Sequence, residues 1–376
     1  MENMRLHGTW FPVLLLVLAQ GLSTMPARGG QERGRVPVIH VTDLFRPHND
    51  PDDHWDLACV YALAHRGDVD LRGVVIDYPP ANHPEWNPDL AAVAQMNRIT
   101  GLAVPVAVGT PHPMRSQDDA QPDASPADLQ GVRMILDILR AADRPVAIHV
   151  IGNSRDIAVA GSKAPDLFAA KCAGVYLNAG TGAPKKAPDA RPEYNVTLDR
   201  FAYEAAFDLP CPVYWMPCFE TLDRTDSFRP AEFGTYYRFR QADILPHLSG
   251  KVQSYFAYMF ARKTDHNWLG VLEGKPDEVV LADQGAKDRN MWCTAGFFYA
   301  AGCTIAPDGT TPGRDAGSEN AVFSFDPIRI TSMGPGGIEW QPDPHATRRF
   351  IFRVRDTEHY RSAATQAMKS LLTTLP

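Results

Sequence analysis

The sequence predicts an α/β fold with a doubly wound, mostly parallel central sheet. Short β-branched runs alternate with helical patterns through the first half of the chain, starting with a strand at residues 38–42 and a second at residues 69–77. This alternation is typical of parallel sheets, which bind ligands outside the carboxyl ends of their strands. Polar residues follow several strands, among them Asp43, Asp77 and Asn178. We therefore expect a site at that edge of the sheet.

The remaining elements follow the same pattern up to the C-terminal third. The expected helices cover, in order, about residues 56–65, 88–100, 128–142, 157–171 and 199–207, and the expected strands lie near 104–109, 145–151, 173–179 and 212–217. The polar segment 115–125 is expected to be a disordered surface loop or an exposed lid.

The C-terminal third predicts helices and a small antiparallel addition to the sheet. Aromatic residues in segment 233–262 have the spacing of a packed core. A buried helix is expected over residues 288–302, opening on Asp288, Arg289 and Asn290. Two or three antiparallel strands are expected over about residues 305–355, and a final helix closes the chain.

Charge and composition limit the classes of partner. The 376-residue chain has a formal net charge of −7 and no dense run of Lys or Arg. Binding to nucleic acid or to an anionic membrane surface requires such basic patches. We therefore expect a small-molecule partner, with no nucleic acid and no membrane.

The first residues resemble an export signal. A short basic region leads into an apolar run at residues 10–19 and then into small residues near Ala27. This is the pattern of a cleaved signal peptide, and the run is too short to span a bilayer comfortably. We expect residues 1–29 to be removed and residues 30–376 to form one exported α/β domain, periplasmic or secreted.

The six cysteines form no C-x-x-C pair. Cys59 and Cys172 lie in apolar stretches, where a buried free thiol is expected. An exported protein can form disulfides, and Cys211 with Cys218 is the best candidate for one.

Five aspartates crowd the first strand-to-helix junction. They lie within fourteen residues: Asp43, Asp50, Asp52, Asp53 and Asp56. Carboxylates this close repel one another unless they are solvated, protonated or neutralised by a cation. An acidic helix start explains one or two of them through the helix dipole. A hard cation such as Ca²⁺ or Mg²⁺, which prefers oxygen ligands, explains the whole cluster.

A second candidate, Glu193-Tyr194-Asn195-Val196, follows the strand near residues 173–179. In an extended segment, Glu193 and Asn195 would point to the same side. A carboxylate and an amide in this arrangement suit the recognition of sugar hydroxyls.

Together these motifs resemble the nucleoside hydrolase family, the inosine-uridine preferring N-ribohydrolases and their relatives, over about residues 36–302. Residues 41–43 (V-T-D) and 49–58 (N-D-P-D-D-H-W-D-L-A) are similar to the family signature D-T-D-P-G-x-D-D-A-x-A-L with a loop inserted. Residues 152–158 (G-N-S-R-D-I-A) resemble the family's G-P-L-T-N-L-A turn. Residues 193–196 resemble its ribose-binding E-F-N-I.

The resemblance implies a role for each matching residue. The implied ligands of Ca²⁺ are Asp43, Asp53 and the carbonyl of Ile151, with Asp50 as a further ligand. Asp52 matches the base that deprotonates the water bound to the metal. The inserted loop leaves the register open, so Asp50 or Asp56 can take either role.

The remaining matches imply contacts with the substrate. The substrate-binding residues implied are Asp56, Asn153, Glu193, Asn195 and Asn290. Arg289 and Asn290 stand where the family has a late His-Asp pair. This departure removes the usual acid for the leaving group and one anionic ligand. The family also suggests a homo-oligomer.

The function that follows is calcium-dependent hydrolysis of the N-glycosidic bond of a ribonucleoside or a related ribosyl compound. Two alternatives remain open. One is a metal-dependent hydrolase of another glycoside, and the other is a non-catalytic sugar- or nucleoside-binding protein on the same scaffold.

Overall fold

A nine-stranded sheet forms the centre of the protein. The computed structural model describes residues 35–48, 50–186, 190–222, 228–334 and 337–376. Within them the strands are β1 (Val36–Thr42), β2 (Phe45–Arg46), β3 (Val69–Ile76), β4 (Asn87–Pro88), β5 (Val106–Val108), β6 (Val146–Val150), β7 (Cys172–Asn178), β8 (Val213–Met216), β9 (Tyr237–Arg240), β10 (Asp288–Met291), β11 (Phe323–Gly334), β12 (Gly337–Pro342) and β13 (Arg349–Val354).

The order of strands in the central sheet is β12-β11-β13-β8-β7-β6-β1-β3-β5. Neighbours from β13 to β5 run parallel, whereas β11 pairs antiparallel with β13 and with β12. The predicted fold class is therefore confirmed: a mostly parallel sheet carries an antiparallel addition. β2 pairs with β4, and β9 pairs with β10, in two small separate ribbons.

Helices cover both faces of this sheet. They are α1 (Asp52–Arg66), α2 (Leu90–Thr100), α3 (Gln130–Ala141), α4 (Arg155–Lys163), α5 (Pro165–Lys171), α6 (Tyr194–Leu198), α7 (Arg200–Ala206), α8 (Gly250–Phe260), α9 (Glu278–Gly285), α10 (Thr294–Ala300), α11 (Arg314–Gly317) and α12 (Tyr360–Leu372). One apolar core joins the sheet to α1, α2, α8, α10 and α12, and a second joins it to α3, α4 and α7.

Burial on both faces explains the composition of β1. Six of its seven residues are buried, because β3 and β6 flank it and helices cover both faces. The aromatic residues of segment 233–262 also pack inside, as expected. Tyr237, Phe239, Tyr255 and Phe256 are at most 1% exposed.

Helix α1 begins four residues earlier than predicted. It starts at Asp52, directly after Pro51, and ends at Gly67, whose φ of 84° only glycine adopts readily. Proline is tolerated at a helix start because its missing N–H would have no helical partner there. The earlier start puts Asp52, Asp53 and Asp56 within the first turns of one helix, so that Asp52 and Asp56 share a face.

Two further expectations are corrected. Residues 288–302 do not form one helix, since Asp288–Met291 is the strand β10 and helix α10 starts only at Thr294. The segment 115–125 is not a disordered loop, since Asp119 and Gln121 are 7% and 4% exposed. Hydrogen bonds from Arg115 to the Asp119 carboxylate order it.

The candidate disulfide is not formed. Cys211 and Cys218 are free thiols, as are the buried Cys59 and Cys172. The predicted signal segment, residues 1–29, lies outside the described residues. Among the helices that the structure describes, none is long and apolar enough to cross a bilayer.

Candidate active site

The ends of three parallel strands bring the predicted residues together. Asp43 directly follows β1, Ile151 directly follows β6, and Asn178 is the last residue of β7. Ile151 N donates to Val41 O at 3.0 Å, which fixes the end of β6 beside the end of β1. The carboxyl edge of the sheet is where such folds bind ligands.

A glycine allows these strand ends to approach closely. A Cβ atom at Gly152 would lie 2.8 Å from Asp43 N and 2.2 Å from Asp77 Oδ2. Any other residue would therefore push Ile151 away from Asp43. Asp77 Oδ2 also accepts a hydrogen bond from Asn153 N at 2.7 Å, which holds the turn in place.

A cavity of about 400 Å³ opens at this edge, a size that fits a small molecule. One side is acidic, and we call these residues the acidic floor: Asp43, Asp50, Asp52, Asp53 and Asp56. The other lining residues are Phe45, Trp86, Ile151, Asn178, Glu193, Tyr194, Asn195, Cys218, Phe219, Leu222, Phe228, Asn290, Trp292 and Cys293.

Asp43 and Asp53 are the most closely linked pair of the acidic floor. Burial raises the pKa of Asp43 to about 7, and a hydrogen bond shared with Asp53 opposes a larger rise. Burial, and next the charge of Asp43, raises the pKa of Asp53 well above its ordinary value. The two carboxyl groups therefore share a proton when no cation is nearby.

Asp52 and Asp56 carry oxygens with no hydrogen-bond partner. Oδ1 of Asp52 and both carboxylate oxygens of Asp56 are buried and unpaired. Burial raises the pKa of Asp56 to about 8, and burial followed by the charge of Asp50 raises that of Asp52. The Cys293 thiol favours the ionised form of Asp56. However, its sulfur lies 3.4 Å from Asn178 Oδ1, which takes its single proton.

Asp50 lies at the mouth of the cavity, on the inserted loop before α1. Its side chain is 57% exposed, and its Oδ1 lies 3.4 Å from Arg289 Nη1. The negative charge of Asp50 contributes to the raised pKa values of Asp43, Asp52 and Asp53. The loop insertion therefore still brings this carboxylate to the others.

Glu193 and Asn195 face the acidic floor across the cavity. Glu193 caps α6, accepting hydrogen bonds from Gly180 N at 2.8 Å and from Asn195 N at 3.0 Å. Asn195 Nδ2 donates to Ile151 O at 3.1 Å and to Asn178 O at 3.0 Å. The segment is helical from Tyr194, not extended as predicted, yet both side chains line the cavity.

Asn290 also lines the cavity, but it lies on β10 and not at a helix start. Its Oδ1 accepts hydrogen bonds from Tyr236 OH at 3.0 Å and from Arg238 Nε at 2.9 Å. These donors fix the side-chain oxygen, so the amide nitrogen is the group left to meet a ligand.

Asn153 is not among the residues that line this cavity, and its role in substrate binding stays a prediction. It is 4% exposed, and its Oδ1 accepts a hydrogen bond from Arg155 N at 2.8 Å at the start of α4. Asn153 therefore shapes the turn that carries Ile151.

An aromatic group in the lining was missed by the sequence analysis. Phe219, Phe228 and Trp292 form it together with the stacked pair Phe45 and Trp86, whose ring centres are 5.5 Å apart. The one available signal was position, because Trp86 lies in a Pro-rich loop and Phe219 follows β8. Such loops often shape pockets.

Two thiols, Cys218 and Cys293, were also missed. Their sulfurs lie 3.5 Å and 3.4 Å from Asn178 Oδ1, and the Asn178 amide donates to Met216 O and Thr235 Oγ1. Asn178 is thereby saturated and braces the floor of the cavity.

The side chains of the acidic floor offer oxygen donors that can be compared with the ligands a metal ion requires. Within the described ranges no three His, Cys, Asp or Glu side chains stand close enough together to hold one. The chemistry of the donors nevertheless fits a hard cation, since the orphaned oxygens of Asp52 and Asp56 and the paired carboxyls of Asp43 and Asp53 are all oxygen ligands. A bound cation would have to draw these side chains together.

No protein-family model matches the chain, and no curated protein matches it either. Solved structures do match. The effector protein XOO4466 has 16% sequence identity and a TM-score of 0.51, with 90% of this chain and 95% of that chain covered. An inosine-guanosine nucleoside hydrolase has 14% identity and a TM-score of 0.50, with 89% of this chain and 99% of that chain covered.

Both likenesses extend over nearly the whole of each chain, and at this level of identity they concern the fold. The resemblance predicted from the motifs is thus confirmed for the architecture. Since unrelated functions can share one fold, activity has to be argued from the site itself. The protein has the nucleoside hydrolase fold.

Proposed function

We propose that the protein hydrolyses the N-glycosidic bond of a ribonucleoside or a related ribosyl compound with the help of Ca²⁺. The observation that carries the proposal is the opposition of two groups across one cavity. Asp52 and Asp56 of the acidic floor carry buried oxygens without a partner, and Glu193 and Asn195 line the same cavity from the start of α6.

A divalent cation would be held by the carboxylates of Asp43 and Asp53, the carbonyl of Ile151 and the carboxylate of Asp50. These are oxygen ligands of the kind that Ca²⁺ prefers. The ion would supply Lewis acidity, which polarises a water molecule and lowers its pKa. The raised pKa values of Asp43 and Asp53 support this role, because a nearby cation would favour the ionised form of both groups.

Asp52 is the base in this proposal. Its Oδ1 is buried without a partner and can accept a proton from the attacking water. Burial and the neighbouring carboxylates raise its pKa, and a bound cation would favour the ionised form that a general base needs. General base catalysis of this kind is typically worth about 10²–10⁴-fold in rate.

Glu193 and Asn195 bind the sugar in this proposal. The backbone donors Gly180 N and Asn195 N orient the Glu193 carboxylate, and its remaining lone pairs are available to sugar hydroxyls. Contacts that strengthen as the sugar ring flattens would lower the barrier, because only interactions gained in the transition state accelerate the chemical step.

Non-catalytic binding is the second candidate function. It is favoured by the absence of any His, Lys or Arg among the described lining residues, which leaves the leaving group without the usual acid. The cavity would then bind a nucleoside or sugar without turnover.

A release assay tests the proposal. A panel of ribonucleosides is incubated with the protein in Ca²⁺ and in a chelator, and free base and free sugar are measured. Release that requires the metal is expected. Binding of a nucleoside or free sugar without release would support the second candidate and overturn the first.

Calorimetric titration of Ca²⁺ gives a readout that is independent of turnover. Binding is expected for the chelator-treated protein and should be lost in Asp43→Ala and Asp53→Asn. The matched control is Asp137→Asn, since Asp137 lies on the surface of α3 and pairs with Arg140. Binding that survives both floor substitutions would contradict the assigned ligands.

A further inference from the structure

The charged side chains that line the cavity, within the described residues, are all acidic. Among the described lining residues, Glu193 is the one charged residue besides the acidic floor, and none of them is Lys, Arg or His. Arg289 Nη1 lies 3.4 Å from the Oδ1 of the exposed Asp50. When a bound divalent cation favours the ionised carboxylates, it neutralises only part of their charge, so these residues repel anionic ligands and attract cationic ones.

Both oxygens of Asp56 stand unpaired in the buried wall of the cavity. Asp56 is 0% exposed. An unpaired buried carboxylate destabilises the fold unless it takes up a proton or a nearby positive charge compensates it. Burial raises the pKa of Asp56 to about 8, so this group holds a proton in the metal-free protein, and a cation near it would favour the ionised form.

Aromatic rings complete the lining. Phe219 meets Trp292 at 85° with ring centres 5.9 Å apart, and it meets Phe228 at 75° with ring centres 5.2 Å apart. All three rings line the cavity, where an organic cation can lie against an aromatic face. A flat cationic ring would gain cation–π attraction there in addition to apolar contact.

The chemistry of bond cleavage leads to the same class of ligand. When the C1′–N bond of a neutral nucleoside breaks, both bonding electrons go to the base, which leaves as an anion unless an acid protonates it. In a cationic N-glycoside the same electron pair neutralises the ring nitrogen, and the ring leaves uncharged without a proton. Water adds its hydroxyl to C1′ and gives its proton to a carboxylate of the floor. No leaving-group acid is then required.

We infer that the substrate is a cationic N-riboside, such as a pyridinium or N-alkylated purine riboside, whose charged ring lies against Phe219, Phe228 and Trp292. The inference rests on the proposed N-glycoside hydrolysis and specifies its substrate class. A substrate of this class accounts together for three features of the described lining: the acidic side chains, the aromatic rings and the lack of a His, Lys or Arg to protonate the leaving group.

Two isosteric probes test recognition without turnover. 1-Methylnicotinamide carries one positive charge, whereas 3-methylbenzamide has the same shape and none. Equilibrium binding, measured in Ca²⁺ and in chelator, is expected to favour the cation by about tenfold or more, from its charge and its cation–π contacts together. Equal binding, or tighter binding of the neutral probe, would overturn the inference.

Turnover distinguishes this inference from the function on which it rests. Nicotinamide riboside is expected to be hydrolysed with a kcat/KM at least tenfold above that of inosine or uridine. Equal or faster hydrolysis of the neutral nucleosides would overturn the inference and leave the proposed function standing, with Asp56 as an available proton donor. Failure to hydrolyse any of them would overturn the proposed function, while the binding measurement would still decide the charge preference.

Substitutions of Trp292 test the aromatic contact. Trp292→Leu is expected to weaken binding of 1-methylnicotinamide by about 2–30-fold, the range that corresponds to a cation–π energy of about 0.5–2 kcal/mol. It should change binding of 3-methylbenzamide less. Trp292→Phe keeps a ring and is expected to retain most of the preference.

A variant at the cavity mouth covers the case in which Trp292→Leu does not fold. Phe228 is 52% exposed, so Phe228→Leu should fold normally. It is expected to reduce the preference for the cation in the same direction. An unchanged preference in both Phe228→Leu and a folded Trp292→Leu would contradict the aromatic part of the inference.

Discussion

Two groups of buried aspartates in this molecule differ in what surrounds them. Asp199 accepts hydrogen bonds from Arg155 Nε at 2.8 Å, from Met114 N at 2.8 Å and from Ala202 N at 3.1 Å. Asp119 is likewise bonded to the Arg115 guanidinium, which holds the pKa of that carboxyl well below its usual range. Among the described residues, no Arg or Lys pairs with the four inner members of the acidic floor, and burial raises their pKa values: Asp43, Asp52, Asp53 and Asp56. The structural carboxylates Asp199 and Asp119 are thus compensated by arginines of the protein itself, whereas the inner carboxylates of the acidic floor remain available to a ligand.

The largest expected effect is on activity, when an aspartate of the acidic floor is replaced. Asp52→Asn removes the proposed base with little change in shape, and kcat is expected to fall by about 10²–10⁴-fold. The free energy of unfolding should stay the same or increase, because no orphaned carboxylate remains at that position. Steady-state kinetics and urea denaturation measure the two quantities. A kcat close to that of the unmodified protein would exclude Asp52 as the base.

Replacing Asp199, which pairs with Arg155, should instead lower the free energy of unfolding. Asp199→Ala leaves the buried Arg155 without its counter-ion, and the free energy of unfolding is expected to fall by about 3–5 kcal/mol. The loss should appear as a lower urea midpoint. A stability equal to that of the unmodified protein would remove the distinction between the two groups.

The pH dependence of stability is a smaller effect with a defined sign. Burial raises the pKa of Asp43 to about 7 and that of Asp56 to about 8, whereas both would titrate near 3.8 in the unfolded chain. The folded state then binds these protons more tightly, so the contribution of the two groups to stability without Ca²⁺ is fully present below pH 3.8 and is lost progressively as pH rises from there to about 7 for Asp43 and about 8 for Asp56. Asp56→Asn should make this loss smaller.

Urea midpoints measured between pH 5 and pH 8.5 in a chelator would check this dependence. Saturating Ca²⁺ should flatten the curve, because a bound cation favours the ionised carboxylates. An increase in stability with pH in the metal-free protein would contradict the idea that the floor lacks internal compensation.

The order of strands and helices was predictable because the local pattern was strong. Alternating apolar runs identified β1, β3, β6 and β7, and the aspartates after β1 marked the site. The strand β10 could not be read in the same way, because it forms only by pairing with β9, some fifty residues earlier in the chain. The order in segment 115–125 depends on the Arg115–Asp119 contact, which polarity alone does not reveal.

Composition and residue spacing predicted only part of the site. The aspartate cluster was visible, but the start of α1 at Asp52 depends on Pro51 and decides which carboxylates share a face. Asn153 matched a motif, yet its side chain supports the turn. The aromatic rings come from strand β2 and from loops far apart in the chain, so only the tertiary fold brings them together.

The last strand of the chain has a consequence for folding. β13 lies between β8 and β11, and its residues 349–351 pair with residues 213–215 of β8. During synthesis β8 is therefore made before β13, the strand that pairs with one of its edges. That edge stays unpaired until β13, more than a hundred residues further along the chain, has been synthesised. Pairings over such long separations are slow to form and expose strand edges to aggregation. Removal of the terminal forty residues is thus expected to yield insoluble protein rather than a smaller functional domain.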